Sequence, residues 1–470
     1  MSPGAEEELL ARLAASSGDP RRRLLLRGGT VLSMDPAIGD REVADVLIEG
    51  RRIAAIEADL EAAAAGAIVV DVAGRILIPG LQDTHRHCWQ SQFRHAWPDG
   101  SIHDYVATIH EGLGPHYRPE DMYAATLMSA LGALDAGITC VMDFCHNSRS
   151  AAHTDAAIAA WRESGIRAVH ASCGAVAGDW DRQWPQDLRR LREQMRSDED
   201  LVTLRMGIVT PVYPGVADEI EITPQRLALA RELGLATSVD GVVGPLAAQR
   251  VVELGEAGLL GPDLTFIHCL DMPEEAWRHL AHAGSHVSMA PTSDTNLSQE
   301  SAIPSIQQAL DAGIRPSIGA DVECCLSTDL FAHMHAVLTI QRMLAQNRRH
   351  GGEVDPPAPL TAREVLEFAT VRGAEANAVS DRSGTLTPGK DADIAVIDGQ
   401  HLRTLPLNNA IGTVVLGTDP STVESVFVAG DVRKWSGRLV GHDVARLRRI
   451  VRASRDHVLE SSGMRLDVLA

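Results

Sequence analysis

The chain has 470 residues, of which 45% are hydrophobic, and it carries a formal net charge of −20. This length suits one large domain with an accessory module, and the acidic balance argues against nucleic acid or an anionic membrane as the main partner. The seven cysteines form no CxxC pair, and no signal peptide or membrane-length apolar run is apparent. We therefore expect a cytoplasmic protein with reduced, mostly buried thiols.

Three regions follow one another along the sequence. The first alternates apolar and polar residues with turns at Gly and Asp, which predicts a small β-sheet. The second alternates helical stretches with apolar strands, and the third begins with a helix and then returns to strands and turns. We expect the third region to complete the sheet of the first. The predicted boundaries are 1–76 and 379–470 for the two parts of a composite β-sandwich, the second with a terminal helix, and 77–378 for the central domain.

The central region contains eight predicted strands that alternate with helices. Its helical stretches repeatedly end in a glycine, a residue that suits the left-handed conformation closing a helix. These glycines are Gly137, Gly165, Gly234, Gly284 and Gly313. Such alternation implies a parallel sheet, and eight units over roughly 250 residues predict a TIM (β/α)8 barrel, an α/β fold. An open doubly wound sheet would need a Gly-rich phosphate loop after its first strand, where this chain has His-Arg-His.

Candidate catalytic side chains stand at the ends of these predicted strands. His85 and His87 are two residues apart at the end of the first strand, so both point to the same side, toward the barrel mouth. Two imidazoles there can hold one divalent ion. His268 ends the sixth strand and Asp321 the eighth. An aspartate at that place can bind the ion, take a proton from water or cap a helix, and the shared location at strand ends favours a functional site.

Several motifs resemble the amidohydrolase superfamily, in particular its cytosine deaminase and atrazine chlorohydrolase type. They are IPGLQDTHRHCWQ, GITCVMDF, FIHC, GIRPSIGAD and SGTLTPGKDADIAVID, and the similarity runs from about residue 24 to 440. Members commonly hold one metal ion through the HxH pair, a histidine after strand five and an aspartate after strand eight. By resemblance, His85, His87 and Asp321 bind one divalent metal, with zinc favoured and iron or manganese as alternatives, and His268 orients water or substrate.

Strand five departs from this family pattern, because LGLATSVDGVVGP contains no histidine. Ser238 or Asp240 occupies the place by local alignment, and Asp240 is our candidate metal ligand, since zinc accepts oxygen ligands. Deaminases of this type also place a glutamate three residues after that histidine, where this chain has Gly241 or Val243. Neither side chain can move a proton, so the usual deamination machinery is incomplete.

These residues predict an enzyme of the amidohydrolase type. We expect a metal-activated water to attack a carbon–nitrogen bond in an amide, imide, amidine or aminated heterocycle. Asp321 and His268 would be the catalytic residues. The alternative is a lyase, cyclase or isomerase on the same barrel with a degenerate or absent metal site. A protein that only binds its ligand would show wider loss of these residues.

Residues just after the predicted strands are candidates to contact the substrate, because barrel loops build specificity. Trp89 could stack on a flat ring, and Gln90 falls where members of the family often contact substrate. The full set is Trp89, Gln90, Arg94, Tyr213 and Glu323. We expect a small cyclic or heteroaromatic substrate and, by resemblance, a homo-oligomer such as a dimer or tetramer.

Overall fold

The structure, a computed structural model, describes residues 3–195, 200–211, 218–297 and 303–469. Its strands are, in chain order, β1 (Arg23–Val31), β2 (Arg41–Glu49), β3 (Arg52–Glu57), β4 (Ile68–Asp71), β5 (Arg75–Pro79), β6 (Leu81–Arg86), β7 (Ile138–Cys145), β8 (Arg167–Ser172), β9 (Val202–Val209), β10 (Thr237–Asp240), β11 (Leu264–Ile267), β12 (His286–Met289), β13 (Ser317–Ile318), β14 (Ile394–Asp398), β15 (Val423–Val428), β16 (Asp431–Trp435) and β17 (Arg438–Leu439).

The helices separate most of these strands. They are α1 (Pro3–Ala15), α2 (Ile102–Tyr105), α3 (Pro119–Asp135), α4 (Ala151–Ser164), α5 (Asp187–Gln194), α6 (Pro224–Glu232), α7 (Gly244–Glu256), α8 (Glu274–Ala283), α9 (Pro291–Asn296), α10 (Ile306–Asp311), α11 (Leu330–His350), α12 (Ala362–Phe368), α13 (Val371–Ala376), α14 (Ala410–Gly412) and α15 (Val444–Ser462). π-helical segments span Val106–Leu113 and Thr413–Gly417, and short 3₁₀ segments span Cys88–Phe93, Gly114–His116, Asp218–Ile220 and Pro420–Thr422.

The chain divides into two compact units. One comprises Met1–Gln82, Leu131–Cys140 and Asp329–His442, and the other comprises Asp83–Ala130, Val141–Thr328 and Asp443–Ala470. The predicted domain boundaries after residues 76 and 378 stay a prediction. Among the described residues, no helix combines the length and the hydrophobicity that crossing a bilayer requires.

The N-terminal and C-terminal strands form one nine-stranded sheet, in the order β17-β16-β15-β14-β5-β1-β2-β3 with β4 paired to β1. The join is the antiparallel pair of β5 and β14, in which Leu77 lies opposite Val396. Leu24, Leu26 and Val46 belong to its buried apolar cluster. Burying such a side chain contributes about 1.5–3 kcal/mol relative to leaving it exposed, so the two ends of the sequence stabilise one core. The predicted composite sheet is confirmed.

The other sheet has eight strands in the order β6 to β13. The registered neighbours from β8 to β13 are parallel, and every residue of β7 is buried, as expected for a parallel sheet covered on both faces. The glycines predicted to end the helices all have positive φ, and Gly165 and Gly284 are left-handed C-caps of α4 and α8. The predicted TIM barrel is confirmed.

The first and last barrel strands meet through backbone bonds that also position the site. The Asp321 amide donates to the His85 carbonyl over 2.8 Å, and the His87 amide donates to the Asp321 carbonyl over 3.2 Å. Gly319 makes this approach possible, because a Cβ at that position would lie 2.7 Å from the Cβ of His85 and 2.8 Å from its backbone nitrogen.

The predicted first barrel strand, LIPGLQDTH, is two strands in the structure. β5 belongs to the nine-stranded sheet and β6 to the barrel, and Gly80 separates them. A Cβ on Gly80 would lie 2.1 Å from the side chain of Thr139, so only glycine allows the chain to pass here. A continuous apolar run does not reveal where the strand changes sheets, because the residues on both sides of the break are buried.

Candidate active site

A cavity of about 390 Å³ opens at the carboxyl ends of the barrel strands, where TIM-barrel active sites form. Part of its polar lining comes from residues at or just after five different strands: His87, His146, Asp240, His268 and Asp321. Together with His85, which lies behind them, these residues include all of the predicted catalytic and metal-binding residues. We call His85, His87, Asp240, His268 and Asp321 the cavity cluster.

The two histidines of the HxH pair present nitrogen atoms to one point. The Nδ1 of His87 lies 3.0 Å from the carbonyl oxygen of Phe144. A carbonyl only accepts, so Nδ1 carries the ring proton and Nε2 keeps its lone pair toward the cavity. His85 is fully buried, and neither of its ring nitrogens has a hydrogen-bond partner among the described residues.

Asp321 faces both imidazoles. Its Oδ1 lies 3.1 Å from the Nε2 of His85 and 3.1 Å from the Nε2 of His87, yet this buried oxygen has no partner with hydrogen-bond geometry in the described part of the chain. Burial would raise the pKa of Asp321, but the nearby imidazoles lower it well below its usual range. Asp321 also adopts a left-handed backbone conformation with φ of 64°, a strain typical of functional sites.

Asp240 closes the site from the end of β10. Its carboxylate oxygens lie 3.6 Å from the Nε2 atoms of His85 and His87. Ser238, the other candidate for the strand-five position, is fully buried, and its hydroxyl lies 3.7 Å from the sulfur of Met142. The structure therefore brings Asp240, and not Ser238, to the imidazoles.

His268 is held in place by a second carboxylate. Its Nδ1 lies 2.8 Å from Oδ1 of Asp294 on α9, and its Nε2 lies 3.3 Å from Oδ1 of Asp240 and 4.0 Å from Oδ2 of Asp321. Burial would lower the pKa of His268, but the bonds to Asp240 and Asp294 raise it well above its usual value. Because a carboxylate only accepts, the Nδ1 of His268 donates to Asp294, and its Nε2 is directed as a donor at the cavity cluster.

These donor atoms converge in a way that fits a divalent cation. One ligand atom each from His85, His87 and Asp321 lie within 4.8 Å of one another, and the same holds for His85, Asp240 and His268. Buried polar atoms normally find hydrogen-bond partners, and unpaired ones cost free energy. The unpaired Nε2 of His85 and Oδ1 of Asp321 are the atoms that a metal ion would satisfy.

The predicted substrate residues Trp89 and Gln90 are buried beneath the cavity wall. The indole nitrogen of Trp89 donates to Nδ1 of His146 over 3.0 Å. The side-chain nitrogen of Gln90 donates to the hydroxyl of Tyr105 over 2.5 Å, and Tyr105 itself lines the cavity. Tyr213 lies outside the described residues.

Arg94 and Glu323, also predicted to contact substrate, belong to a second polar network with Asp83, Arg86 and Ser129. Glu323 is buried and accepts from Arg94, from Ser129 and, over 3.4 Å, from Arg86. We call these five residues the arginine cluster. Neither Arg94 nor Glu323 belongs to the described lining of the cavity.

Sequence reasoning missed the wall that residues 102–113 contribute. Ser101 and Asp104 form a capping box that starts α2, and the chain continues directly into the π-helix Val106–Leu113. Tyr105 and His110 line the cavity from this segment, and burial lowers the pKa of His110 to about 3. The capping box S-x-x-D could have marked the helix start, but no sequence pattern distinguishes a π-helix from an α-helix.

Comparison with known proteins shows which proteins this chain is similar to. Residues 244–433 match the model described as "Amidohydrolase family". The 5′-deoxyadenosine deaminase of Methanopyrus kandleri is 28% identical over 78% of this chain and 83% of its own. The 5-methylthioadenosine/S-adenosylhomocysteine deaminase of Syntrophobacter fumaroxidans is 27% identical over 94% of this chain and 97% of its own. The chain is similar to members of the amidohydrolase superfamily over most of its length.

Solved structures show the same fold. An adenosine deaminase from Xanthomonas campestris with bound zinc superposes with a TM-score of 0.77 at 21% identity, covering 94% of this chain and all of that one. An atrazine chlorohydrolase from Arthrobacter aurescens complexed with zinc also superposes with a TM-score of 0.77 at 21% identity, covering 93% of this chain and all of that one. The resemblance that the motifs carry is confirmed, as is the predicted enzyme class, an amidohydrolase-type hydrolase.

Proposed function

We propose that this amidohydrolase binds one zinc ion through His85, His87, Asp240 and Asp321 and hydrolyses a carbon–nitrogen bond of a small cyclic substrate. The observation that carries the proposal is the convergence of four buried donor side chains on one point, with unpaired atoms on His85 and Asp321. Two imidazoles and two carboxylates suit zinc, and also iron or manganese. An oxygen ligand from strand five replaces the histidine of the family pattern.

Asp321 and His268 would have different roles in the hydrolysis. When bound, a divalent cation would act as a Lewis acid and lower the pKa of a coordinated water to about 7. Asp321 would accept the proton of the attacking water, since its carboxylate is ionised and faces the imidazoles. His268, held by Asp294, would donate its Nε2–H to the oxygen on which negative charge develops. Asp321 would then return the proton to the departing nitrogen.

The side chains of the cavity wall indicate which kind of substrate the site would accept. Apolar side chains dominate it, among them Ile102, Val106, Val209, Val243 and Leu297. None of its described lining residues is an arginine or lysine, so a phosphate or carboxylate on the substrate would find no guanidinium or ammonium group there. Its volume of about 390 Å³ lies in the usual range for small-molecule sites. We therefore propose an uncharged ring with apolar substituents.

The residue at the place of the deaminase glutamate, just after strand five, limits which reaction we propose. Val243 is buried, lines the cavity and directly precedes α7, so it leaves no proton shuttle where deaminases carry a glutamate. The described carboxylates that line the cavity are Asp240, Asp321 and Glu111, and Glu111 is exposed. Because only Asp321 is assigned to proton transfer, ring opening of a cyclic amide or imide requires the least additional machinery.

Metal analysis tests the proposed ligands. Wild type, a His85→Ala/His87→Ala double variant, Asp240→Ala and Ser238→Ala would be purified identically, loaded with zinc and measured by elemental mass spectrometry. We expect about one ion per chain in wild type and Ser238→Ala, none in the double variant, and an affinity at least about 10-fold weaker in Asp240→Ala. Wild type that takes up no zinc, iron or manganese would overturn the proposal.

The reaction is tested on four compounds: glutarimide, cytosine, 5′-deoxyadenosine and atrazine. We expect hydrolysis of glutarimide to be fastest, because ring opening needs no separate shuttle for an exocyclic amine. The Asp321→Asn variant is the control and should be inactive on all four. Faster release of ammonia from cytosine or 5′-deoxyadenosine than ring opening of glutarimide would contradict the proposed substrate class.

A further inference from the structure

His146 follows β7 and stands beside the cavity cluster without a role in the proposed function. It is 4% exposed and lines the cavity. Its ring stacks on His87, with centroids 4.0 Å apart and planes within 4°. Its backbone N–H donates to the Phe144 carbonyl over 3.2 Å, the same oxygen that accepts from Nδ1 of His87. The ring is therefore held in a fixed position on the cavity wall.

Trp89 determines which nitrogen of His146 carries the proton. The indole N–H of Trp89 donates to Nδ1 of His146 over 3.0 Å, and an indole nitrogen can only donate. Nδ1 must therefore present its lone pair, so the ring proton is on Nε2.

This tautomer separates His146 from the metal ligands around it. A ring nitrogen of His146 lies within 4.8 Å of ligand atoms of His87 and Asp240, as a ligand would. However, Nδ1 is occupied by Trp89, and a protonated Nε2 has no lone pair to offer a metal. What remains is a neutral N–H donor at the edge of the site.

We propose that His146 donates a hydrogen bond from Nε2 to the departing nitrogen of the substrate, and that Trp89 positions it. The inference rests on the proposed function, since the departing nitrogen is that of the hydrolysed bond. No proton is transferred from His146. A neutral imidazole donor would draw negative charge onto that nitrogen while Asp321 delivers the proton. Trp89 thus acts on the substrate only through His146.

The tautomer can be measured without any substrate. In zinc-loaded protein with ¹⁵N-labelled histidine, the ring nitrogen shifts of His146, assigned by their absence from His146→Gln, should report protonated Nε2 and unprotonated Nδ1. Trp89→Phe keeps the aromatic packing but removes the donor, so we expect a mixture of tautomers. Trp161→Phe is the matched control, because Trp161 is equally buried and donates instead to Asp143 over 3.1 Å; it should leave the signal unchanged. A protonated Nδ1 in wild type would overturn the proposal.

Two further readouts distinguish a donor from a ligand or a packing residue. His146→Gln should keep the zinc content of wild type, whereas loss of zinc equal to that of His87→Ala would identify His146 as a ligand and overturn the proposal. On glutarimide, His146→Phe should lower kcat by about 10²–10³-fold with little change in KM, and His146→Gln, which retains an N–H donor, should recover at least part of it. Equal kcat values for His146→Phe and wild type would overturn the proposal.

Failure of the proposed function gives a different result. If wild type neither binds zinc nor hydrolyses any of the four compounds, the metal and kinetic readouts fail together in every variant. The ¹⁵N measurement on the metal-free protein still decides the tautomer of His146, because the Trp89 bond does not depend on metal.

Discussion

Two buried polar clusters start from adjacent residues of the same strand and differ in whether their charges are paired. In the arginine cluster, Arg86 is fully buried and donates from all three of its nitrogens, to Asp83 over 2.6 Å, to Glu323 over 3.4 Å and to the Thr328 carbonyl over 2.7 Å. In the cavity cluster, neither ring nitrogen of His85 has a hydrogen-bond partner among the described residues. Apart from Nη2 of Arg94, the polar atoms of the arginine cluster are paired and hold the strands in place, whereas the unpaired atoms at the centre of the cavity cluster are prepared for a ligand.

The largest effect is expected from a substitution that disrupts the arginine cluster. Glu323→Gln leaves Arg86 and Arg94 without their shared carboxylate, and removing one partner of a buried ion pair costs about 3–5 kcal/mol. We expect a loss of that size in the free energy of unfolding, measured by urea denaturation, with zinc content retained. Glu253→Gln is the control, because Glu253 pairs with Arg250 on the surface of α7, where such pairs contribute about 0–1 kcal/mol. Equal destabilisation by both variants would contradict the comparison.

The next largest effect is expected when zinc binds to the unpaired atoms of the cavity cluster. If the cavity cluster is a metal site, zinc at 100 times its dissociation constant should stabilise the folded protein by about 2.7 kcal/mol. Thermal denaturation with and without zinc would measure this stabilisation as a rise in Tm. Asp321→Asn should lose most of the rise, whereas Glu323→Gln should keep it despite a lower starting Tm. A zinc effect of equal size in wild type and Asp321→Asn would place the ion elsewhere.

A smaller effect is expected from the residue that supports His268. Asp294 is fully buried and contacts His268 from behind. Replacing such an outer carboxylate typically costs 10–100-fold in activity. Asp294→Asn should therefore lower kcat on glutarimide by about that factor while zinc content is retained. A KM effect without a change in kcat would instead mean that Asp294 shapes the cavity.

The smallest effect concerns an ordinary ion pair in the nine-stranded sheet, which serves as a reference for both clusters. Oδ1 of Asp431 accepts from Arg22 over 2.7 Å and from the Gly18 amide over 3.0 Å. Burial would raise the pKa of Asp431, but these two bonds lower it. Asp431→Asn should reduce the free energy of unfolding by about 1–2 kcal/mol at pH 7.

The pH dependence of this pair has a definite sign. A carboxyl whose pKa is lowered by folding stabilises the protein above its unfolded pKa, about 3.9, and loses that contribution as the pH falls through its folded pKa. The difference between wild type and Asp431→Asn should therefore be constant between about pH 5 and 7 and shrink below about pH 4. Urea midpoints across this range test it; a difference that grows on acidification would contradict the sign.

The barrel could be predicted from the sequence because short-range sequence patterns indicate each of its strands and helices. Helix-ending glycines and short apolar strands recur at regular intervals, and His85 and Asp321 stand where such strands end. The choice between Ser238 and Asp240 could not be made from the sequence. Residues two apart on a strand face the same side, so only the depth of each along the barrel axis separates them, and that depth depends on pairing with distant strands.

Contacts between distant segments explain what the sequence did not reveal. Glu323 occupies a place typical of substrate contacts, but Arg86 and Arg94 pair with it from more than 200 residues away in the chain. His146 has no neighbouring motif, and its tautomer depends on an indole 57 residues earlier. Neither pairing has a local sequence pattern.

Gly319 limits how this enzyme can be redesigned. A mutagenesis library that randomises Val243 and Leu297, two apolar residues of the cavity wall, should return many active clones with altered specificity. The same library at position 319 should return glycine alone, because any Cβ there would collide with the backbone of His85. Closure of the barrel and the position of His85 thus both depend on Gly319. Directed evolution therefore cannot change this residue without affecting both.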